Sequence, residues 1–205
     1  MNASNLSWGQ ECFVDELAHL AGIDPLTLRL ELFEDKRFIK VLMTLAERSN
    51  YFDKSPTGTG KGVAIFKSFK TICACCITVS TVNDGVKIDR VVSVIDCGMY
   101  VSPDTVRAQT EGNIVMGLSA AIKGGIVIKR GVCQQTNFNN YHVLRINEMP
   151  EVDVHIMEND EAPGGVGEPG LPPVAPALGN AIFAATGVRL RGLPIDLETL
   201  KQRTG

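Results

Sequence analysis

The residues best suited to chemistry lie in one stretch, Gly164-Gly165-Val166-Gly167-Glu168-Pro169-Gly170-Leu171-Pro172-Pro173, in which four glycines and three prolines surround a single carboxylate. Glycine admits backbone angles closed to other residues and lets a ligand approach the main chain. Proline fixes its own φ and biases the preceding residue towards extended conformations. A loop of that composition is held rather than floppy, with Glu168 at its apex and no acidic neighbour within several residues. A carboxylate so placed could act as a general base, ligate a metal or accept a backbone N–H. On residue types alone the commonest of these is a loop-stiffening acceptor.

Other groups offer less. Cys12, Cys73, Cys75, Cys76, Cys97 and Cys133 are scattered, and no paired C-x-x-C closes a zinc or iron–sulfur site. They read as buried free thiols in a reducing compartment, with Cys73 and Cys75 on one face of a strand. His19, His142 and His155 lack metal-ligand spacing and read as structural. Gly58-Thr59-Gly60-Lys61-Gly62 invites a phosphate-loop reading but fails it twice. Ser55 stands where the first glycine belongs, Gly62 where the hydroxyl residue belongs, and no apolar strand precedes.

The elements that must position Glu168 can be read from periodicity. Phe13, Leu17 and Leu20 predict the core stripe of a first helix stopped at Gly22. Asp24-Pro25 reads as a cap and first-turn proline for a second, with Leu26, Leu30 and Phe33 on one face. Phe38, Val41, Leu42 and Leu45 line a third. Residues 1–50 are thus helical, 51–62 form a polar linker and 63–205 an α+β core, all within one domain. Strands are expected over Val63 to Phe69, Ile72 to Val82 and Val86 to Ile95, the last two joined by Asn83-Asp84-Gly85.

After Asp96-Cys97-Gly98, a hydroxyl cap at Ser102 and Pro103 open another helix, in which Gly112 and Gly117 permit close approach of a second backbone. A short hairpin follows around Lys129-Arg130-Gly131, then a strand with Val152, Val154 and Ile156 alternating. That strand feeds the Glu168 loop. Pro172 and Pro173 suit the first turn of a last helix, and Gly187 its left-handed exit. The fold class is therefore α+β, helices first, then mixed or antiparallel strands interleaved with two helices.

Composition excludes some functions. A formal net charge of −3 on 205 residues gives no electrostatic reason to expect nucleic acid, which calls for a basic face. No apolar run reaches about 18 residues, the length that spans a bilayer. Met1 to Gln10 lack the basic and apolar regions of an export signal. The expected compartment is the cytoplasm, and a signal carried by a partner would instead place a complex in the periplasm or at a membrane.

The run Gly165-Val166-Gly167-Glu168-Pro169-Gly170-Leu171-Pro172-Pro173 and the small-residue segment after it resemble the C-terminal part of the molybdenum hydroxylases, the xanthine dehydrogenase and aldehyde oxidase large subunits. The isoquinoline 1-oxidoreductase beta-subunit branch looks closest. Other signatures occur in the family's order: Phe13-Val14-Asp15-Glu16-Leu17-Ala18, Asp96-Cys97-Gly98, Pro103-Asp104-Thr105-Val106-Arg107-Ala108-Gln109-Thr110-Glu111-Gly112, Asn137-Phe138 with Tyr141, and Met149-Pro150-Glu151-Val152-Asp153-Val154-His155-Ile156. Two positions depart from the pattern, with Lys70 where the family has a small Gly and Thr78 where it has Glu.

The resemblance implies oxidative hydroxylation of an aldehyde or N-heterocycle carbon with water as oxygen source. In the family, the carboxylate at the position of Glu168 is the general base that deprotonates the attacking hydroxyl. Gly165, Val166, Gly167, Gln109 and Gly112 match segments on the cofactor side. The implied cofactor is a molybdenum–pterin, in its cytosine dinucleotide form. The implied partners are the rest of a pterin-binding large subunit and a [2Fe-2S] small subunit, in an oligomer. Family large subunits carry long upstream segments with most of the pterin-binding loops, so the stretch read here is not expected to retain cofactor alone. The competing reading is a non-catalytic assembly or binding module that keeps the fold.

Overall fold

The structure is a computed structural model, and it describes residues 3–82 and 85–195. Three helices open the chain: α1 (Ala3–Ala21), α2 (Pro25–Leu32) and α3 (Lys36–Arg48). Asp24 caps α2 as its sequence position requires, its Oδ1 accepting from the N–H groups of Leu26 and Thr27 at 3.0 and 2.9 Å. Strands β1 (Thr59–Ser68), β2 (Thr71–Val82) and β3 (Gly85–Asp96) follow. Helix α4 (Pro103–Ile122), the two-residue strands β4 (Ile128–Lys129) and β5 (Val132–Cys133), β6 (Glu151–Ile156) and α5 (Val174–Thr186) complete the fold. Of the turn expected between β2 and β3, Asn83 and Asp84 lie outside the described residues. Gly187 closes α5 at φ +74°, as expected.

One sheet in the order β1-β2-β3-β6 forms the middle layer, antiparallel except for the parallel β3–β6 pair. On one face Leu26, Val41, Leu42 and Leu45 of α2 and α3 pack on Val63, Ile65, Ile72, Ala74 and Cys76. On the other, α4 and α5 pack on Ala64, Cys73, Cys75, Ile77, Val91 and Ile95. Strand β2 is buried on both faces, which is why it reads as an unbroken apolar run. Cys73 and Cys75 share one face, as expected. Burial pushes the Cys73 thiol up to about 12, against a weaker pull from Ser93, so it is a packing group. Cys133 departs from the expectation of burial and is exposed in the β4–β5 hairpin.

The first helix reverses its expected orientation. Phe13 and Leu20 are 59% and 81% exposed, and Leu6 and Leu17 are exposed beside them. The buried face carries Ser7, Glu11, Cys12, Asp15 and Ala18 instead. The reason is polar pairing. Glu11 accepts from Arg29 Nε and from the outward N–H of Ile65 on edge strand β1, both at 2.9 Å. Asp15 accepts from Arg189 at 2.8 Å. Asn180 of α5 donates to the adjacent outward carbonyl of Val63 at 3.1 Å. Side chains of α1 and α5 thus close the β1 edge.

The Gly-rich segment before β1 is also resolved. β1 begins at Thr59, inside the expected linker, and α5 lies directly on its glycines. A Cβ on Gly62 would sit 2.1 Å from the Ala181 nitrogen, and one on Gly60 2.3 Å from the Ala181 oxygen. Lys61 donates to carbonyls of the turn after α3, those of Asn50, Tyr51 and Asp53. The motif is a seat for a helix.

Candidate functional site

The Glu168 loop runs from β6 to α5 and is fastened at several points. Gly164 N–H donates to Cys97 O at 2.8 Å, and Gly165 N–H to Phe69 O at 2.9 Å. Thr71 Oγ1 donates to Gly165 O at 2.6 Å and Gln109 Nε2 to Gly167 O at 2.7 Å. Leu171 N–H then closes a turn on Glu168 O at 2.9 Å. The helix beyond starts at Val174, with Pro173 at its cap, slightly later than the two prolines suggested. The loop is thereby tied to β1–β2, to the end of β3 and to α4.

Within it Glu168 is exposed, and its carboxylate meets no donor or cation among the described residues. The loop-stiffening acceptor expected from residue types alone is found elsewhere, in Asp96. That buried carboxylate accepts from Gly98 N–H at 3.1 Å, Asn159 Nδ2 at 2.9 Å, and Arg37 at 2.8 and 3.0 Å. Burial pushes its pKa up, but these partners together hold it below the ordinary carboxylate value. The bond from Gly98 closes the strand end, and Arg37 and Asn159 add to it.

Of the other site residues expected from sequence, Gln109 and Gly167 meet directly. Gly112, one turn on from Gln109, has no heavy atom within 4 Å of a would-be Cβ, and the same holds for Gly167. Of the two close approaches expected in α4, the one at Gly117 is found, where a Cβ would lie 2.7 Å from Val174, and the one at Gly112 is not. Gly165 turns both backbone groups inward, and Val166 packs on the core. The N–H groups of Val166, Gly167 and Glu168 have no protein acceptor among the described residues. Ser102 makes no side-chain cap and shares a 2.8 Å bond with Thr105 Oγ1.

A cavity of about 360 Å³ opens beside Glu168. Ser4 and Ala3 at the start of α1, Ser68 and Phe69 at the end of β1, and Leu171 and Pro172 form its other walls. Sequence reasoning missed Ser68 and Phe69. The strands expected over Val63 to Phe69 and Ile72 to Val82 imply a tight hairpin between them, but nothing local ties that hairpin to a loop about a hundred residues later. Both turn residues have left-handed backbones, Phe69 at φ +51° and Lys70 at +67°, which accounts for the small Gly usual at the second position. Among the described residues no group of three or more His, Cys, Asp or Glu is placed to hold a metal ion.

The family described as the molybdopterin cofactor-binding domain matches residues 16–150, well over half of the chain. The chain is 36% identical to the membrane-bound aldehyde dehydrogenase (pyrroloquinoline-quinone) of Gluconacetobacter polyoxogenes, covering 92% of this chain and 27% of that protein. It is 34% identical to isoquinoline 1-oxidoreductase subunit beta of Brevundimonas diminuta, covering 95% of this chain and 26% of that one. It therefore spans about a quarter of the length of these curated relatives. The aldehyde oxidoreductase of Desulfovibrio gigas superposes with a TM-score of 0.80 at 12% identity, over 98% of this chain and 41% of that structure, and shares the fold. The profile match and the two relatives together place this chain in the molybdenum hydroxylase family, as a molybdopterin cofactor-binding domain.

Proposed function

We propose that this chain supplies the general-base carboxylate, Glu168, to an oxidoreductase that hydroxylates an aldehyde or an N-heterocycle carbon with water as the oxygen source. One observation carries the reading: a carboxylate without a partner among the described residues, on a loop fastened on both sides, at the wall of a cavity of about 360 Å³. A base must be free to take a proton and held near the group that gives it. The bonds from Phe69, Thr71, Cys97 and Gln109 serve the second need. Phe69, Leu171 and Pro172 line the cavity beside the carboxylate as apolar walls.

The proposed cofactor is a molybdenum–pterin, in the family's cytosine dinucleotide form, and the residues present fit an oxygen-rich group of that kind. The N–H groups of Val166, Gly167 and Glu168, which have no protein acceptor among the described residues, are donors available to an oxygen-rich group. The open faces of Gly167 and Gly112 leave room for close approach, with Gln109 between them and Gly165 fixing the loop's entry. When bound, the cofactor would receive the two electrons of the oxidation. The rest of a large subunit and a [2Fe-2S] subunit would complete the enzyme, and the exposed stripe Leu6, Phe13, Leu17 and Leu20 supports work within a larger assembly.

The test is Glu168→Gln in the assembled enzyme. Loss of proton transfer is worth about 10²–10⁴-fold, so turnover should fall at least about 10²-fold with cofactor content unchanged. Glu111→Gln, on the exposed face of α4, should leave turnover intact. If Glu168→Gln keeps most of the activity, the non-catalytic assembly module becomes the better reading.

A further inference from the structure

We infer that α1 docks on α1 of a second copy of this chain, antiparallel and about a twofold axis at Phe13, through a helix face that the fold of one copy leaves uncovered. The inference goes beyond the proposed function and does not rest on it. Three features of α1 lead to it.

The first is where its apolar side chains sit. At about 100° per residue, Leu6, Gly9, Phe13, Leu17 and Leu20 fall within an arc of about 80° centred on Phe13, and all five are exposed. The arc lies opposite the buried Glu11 and Asp15, whose bonds to Arg29 and Arg189 hold the helix in that orientation. A contiguous apolar stripe on the outside of a helix marks a contact surface. The second feature is charge, which a solvent-facing helix ordinarily carries in quantity. Beyond the buried pair, the only Asp, Glu, Lys or Arg in α1 is Glu16, at the border of the stripe. Its carboxylate is already held by both terminal nitrogens of Arg191, at 2.8 and 2.9 Å. Two such faces can therefore close on each other without burying an unpaired charge, whereas a strongly acidic or basic partner would find nothing to pair with.

The third feature is symmetry, and it selects a second copy as the occupant. Leu6 and Leu20 lie seven residues to either side of Phe13, and Gly9 and Leu17 lie four residues to either side. In an antiparallel pair centred on Phe13, Leu6 of one copy is level with Leu20 of the other. Gly9 is level with Leu17 in the same way, so a position without a side chain meets a large one. Gly9 has no packing role within one copy, since among the described residues nothing outside its own helical turn comes within 4 Å of a Cβ built there. A glycine inside a helix costs stability, and the close approach of another surface is a reason to keep it. A twofold contact requires each face to complement itself, as this spacing does, while an unrelated partner would impose no such symmetry.

Sedimentation velocity of the full chain tests the contact. One helix pair is a small interface, so a monomer–dimer equilibrium with a Kd of about 10–100 µM is expected over loading concentrations of about 5 µM to 1 mM. Phe13→Glu sets two like charges at the axis and should raise Kd at least about 10-fold. Its circular dichroism should match the parent, because Phe13 is exposed in each copy. Gly9→Leu should also weaken the dimer by filling the space level with Leu17, even though leucine favours the helix of a single copy more than glycine does.

Cross-linking under mild copper oxidation tests the register, in a Cys133→Ser background because Cys133 is the exposed thiol. Phe13→Cys should form a disulfide between copies, since the axis brings that position onto itself. Leu6→Cys alone should not, because each copy's residue 6 lies level with residue 20 of the other, about 21 Å away at about 1.5 Å per residue and beyond the reach of a disulfide. Leu6→Cys combined with Leu20→Cys should cross-link. A chain that stays monomeric up to the highest concentration, as it would if a different partner covered the stripe, would overturn the inference. So would a dimer indifferent to Phe13→Glu, or Leu6→Cys cross-linking as fast as Phe13→Cys.

Discussion

Replacing Gly62 by Ala should destabilise the protein far more than the added methyl group suggests. Helix α5 lies on β1 so closely that the new Cβ would sit 2.1 Å from the Ala181 nitrogen and 2.3 Å from the Ala177 oxygen. Ordinary contact begins at 3.4 Å, so the helix must retreat by roughly 1.3 Å. No side-chain rotation can relieve the clash, because both obstructing atoms belong to the backbone. Retreat would loosen Ala177, Leu178, Ala181 and Ile182, all fully buried, and stretch the Asn180 bond to Val63. Overpacking a core costs about 1–3 kcal/mol, and a backbone obstruction on this scale belongs at the upper end, about 3 kcal/mol. With a urea m-value of about 2–3 kcal/mol/M, the unfolding midpoint should drop by about 1 M. Gly112→Ala is the internal control. That glycine lies within α4 with nothing within 4 Å of its Cβ position, so alanine should raise stability by about 0.5–1 kcal/mol. Urea unfolding followed by far-ultraviolet circular dichroism measures both. The reasoning is refuted if Gly62→Ala unfolds within about 0.5 kcal/mol of the parent, a range typical of harmless surface changes.

Two further outcomes follow from the strained turn and the buried Asp96. Lys70→Gly should stabilise the protein by about 0.5–1 kcal/mol, because relief of the left-handed backbone at φ +67° outweighs the extra freedom of glycine in the unfolded chain, and a lower urea midpoint would contradict this. Asp96 has a folded pKa held below its unfolded value, so its stabilising contribution is complete above the unfolded value of about 3.9 and is lost as pH falls below it through the folded value. The urea midpoint of Asp96→Asn should accordingly fall less steeply than that of the parent below about pH 4, and equal slopes would show that Asp96 carries none of the acid sensitivity.

Much of the scaffold was legible in local pattern. The caps at Asp24 and Gly187, the β period from residue 63 to 95 and the alternation in β6 are set by backbone preferences and by burial of one or both faces of a strand. The composition around Glu168 likewise announced a stiff loop between a strand and a helix. Residue order was enough there because the causes lie within a few residues of their effects.

Orientation and long-range pairing were decided only in three dimensions. The apolar stripe of α1 faces outward because Glu11 and Asp15 find a guanidinium and an edge-strand N–H on other elements, partners that no periodicity reveals. Gly60 and Gly62 mimic a phosphate loop in sequence, and only the position of α5 shows that they admit a helix backbone. Phe69 and Ser68 reach Glu168 because the β1–β2 turn and the loop before α5 exchange hydrogen bonds across nearly a hundred residues of chain. The sequence alone therefore marked Glu168 as the one carboxylate of a stiff loop. Which surfaces stand around that group depended on the tertiary structure, because those contacts join residues whose separation along the chain carries no local energetic trace.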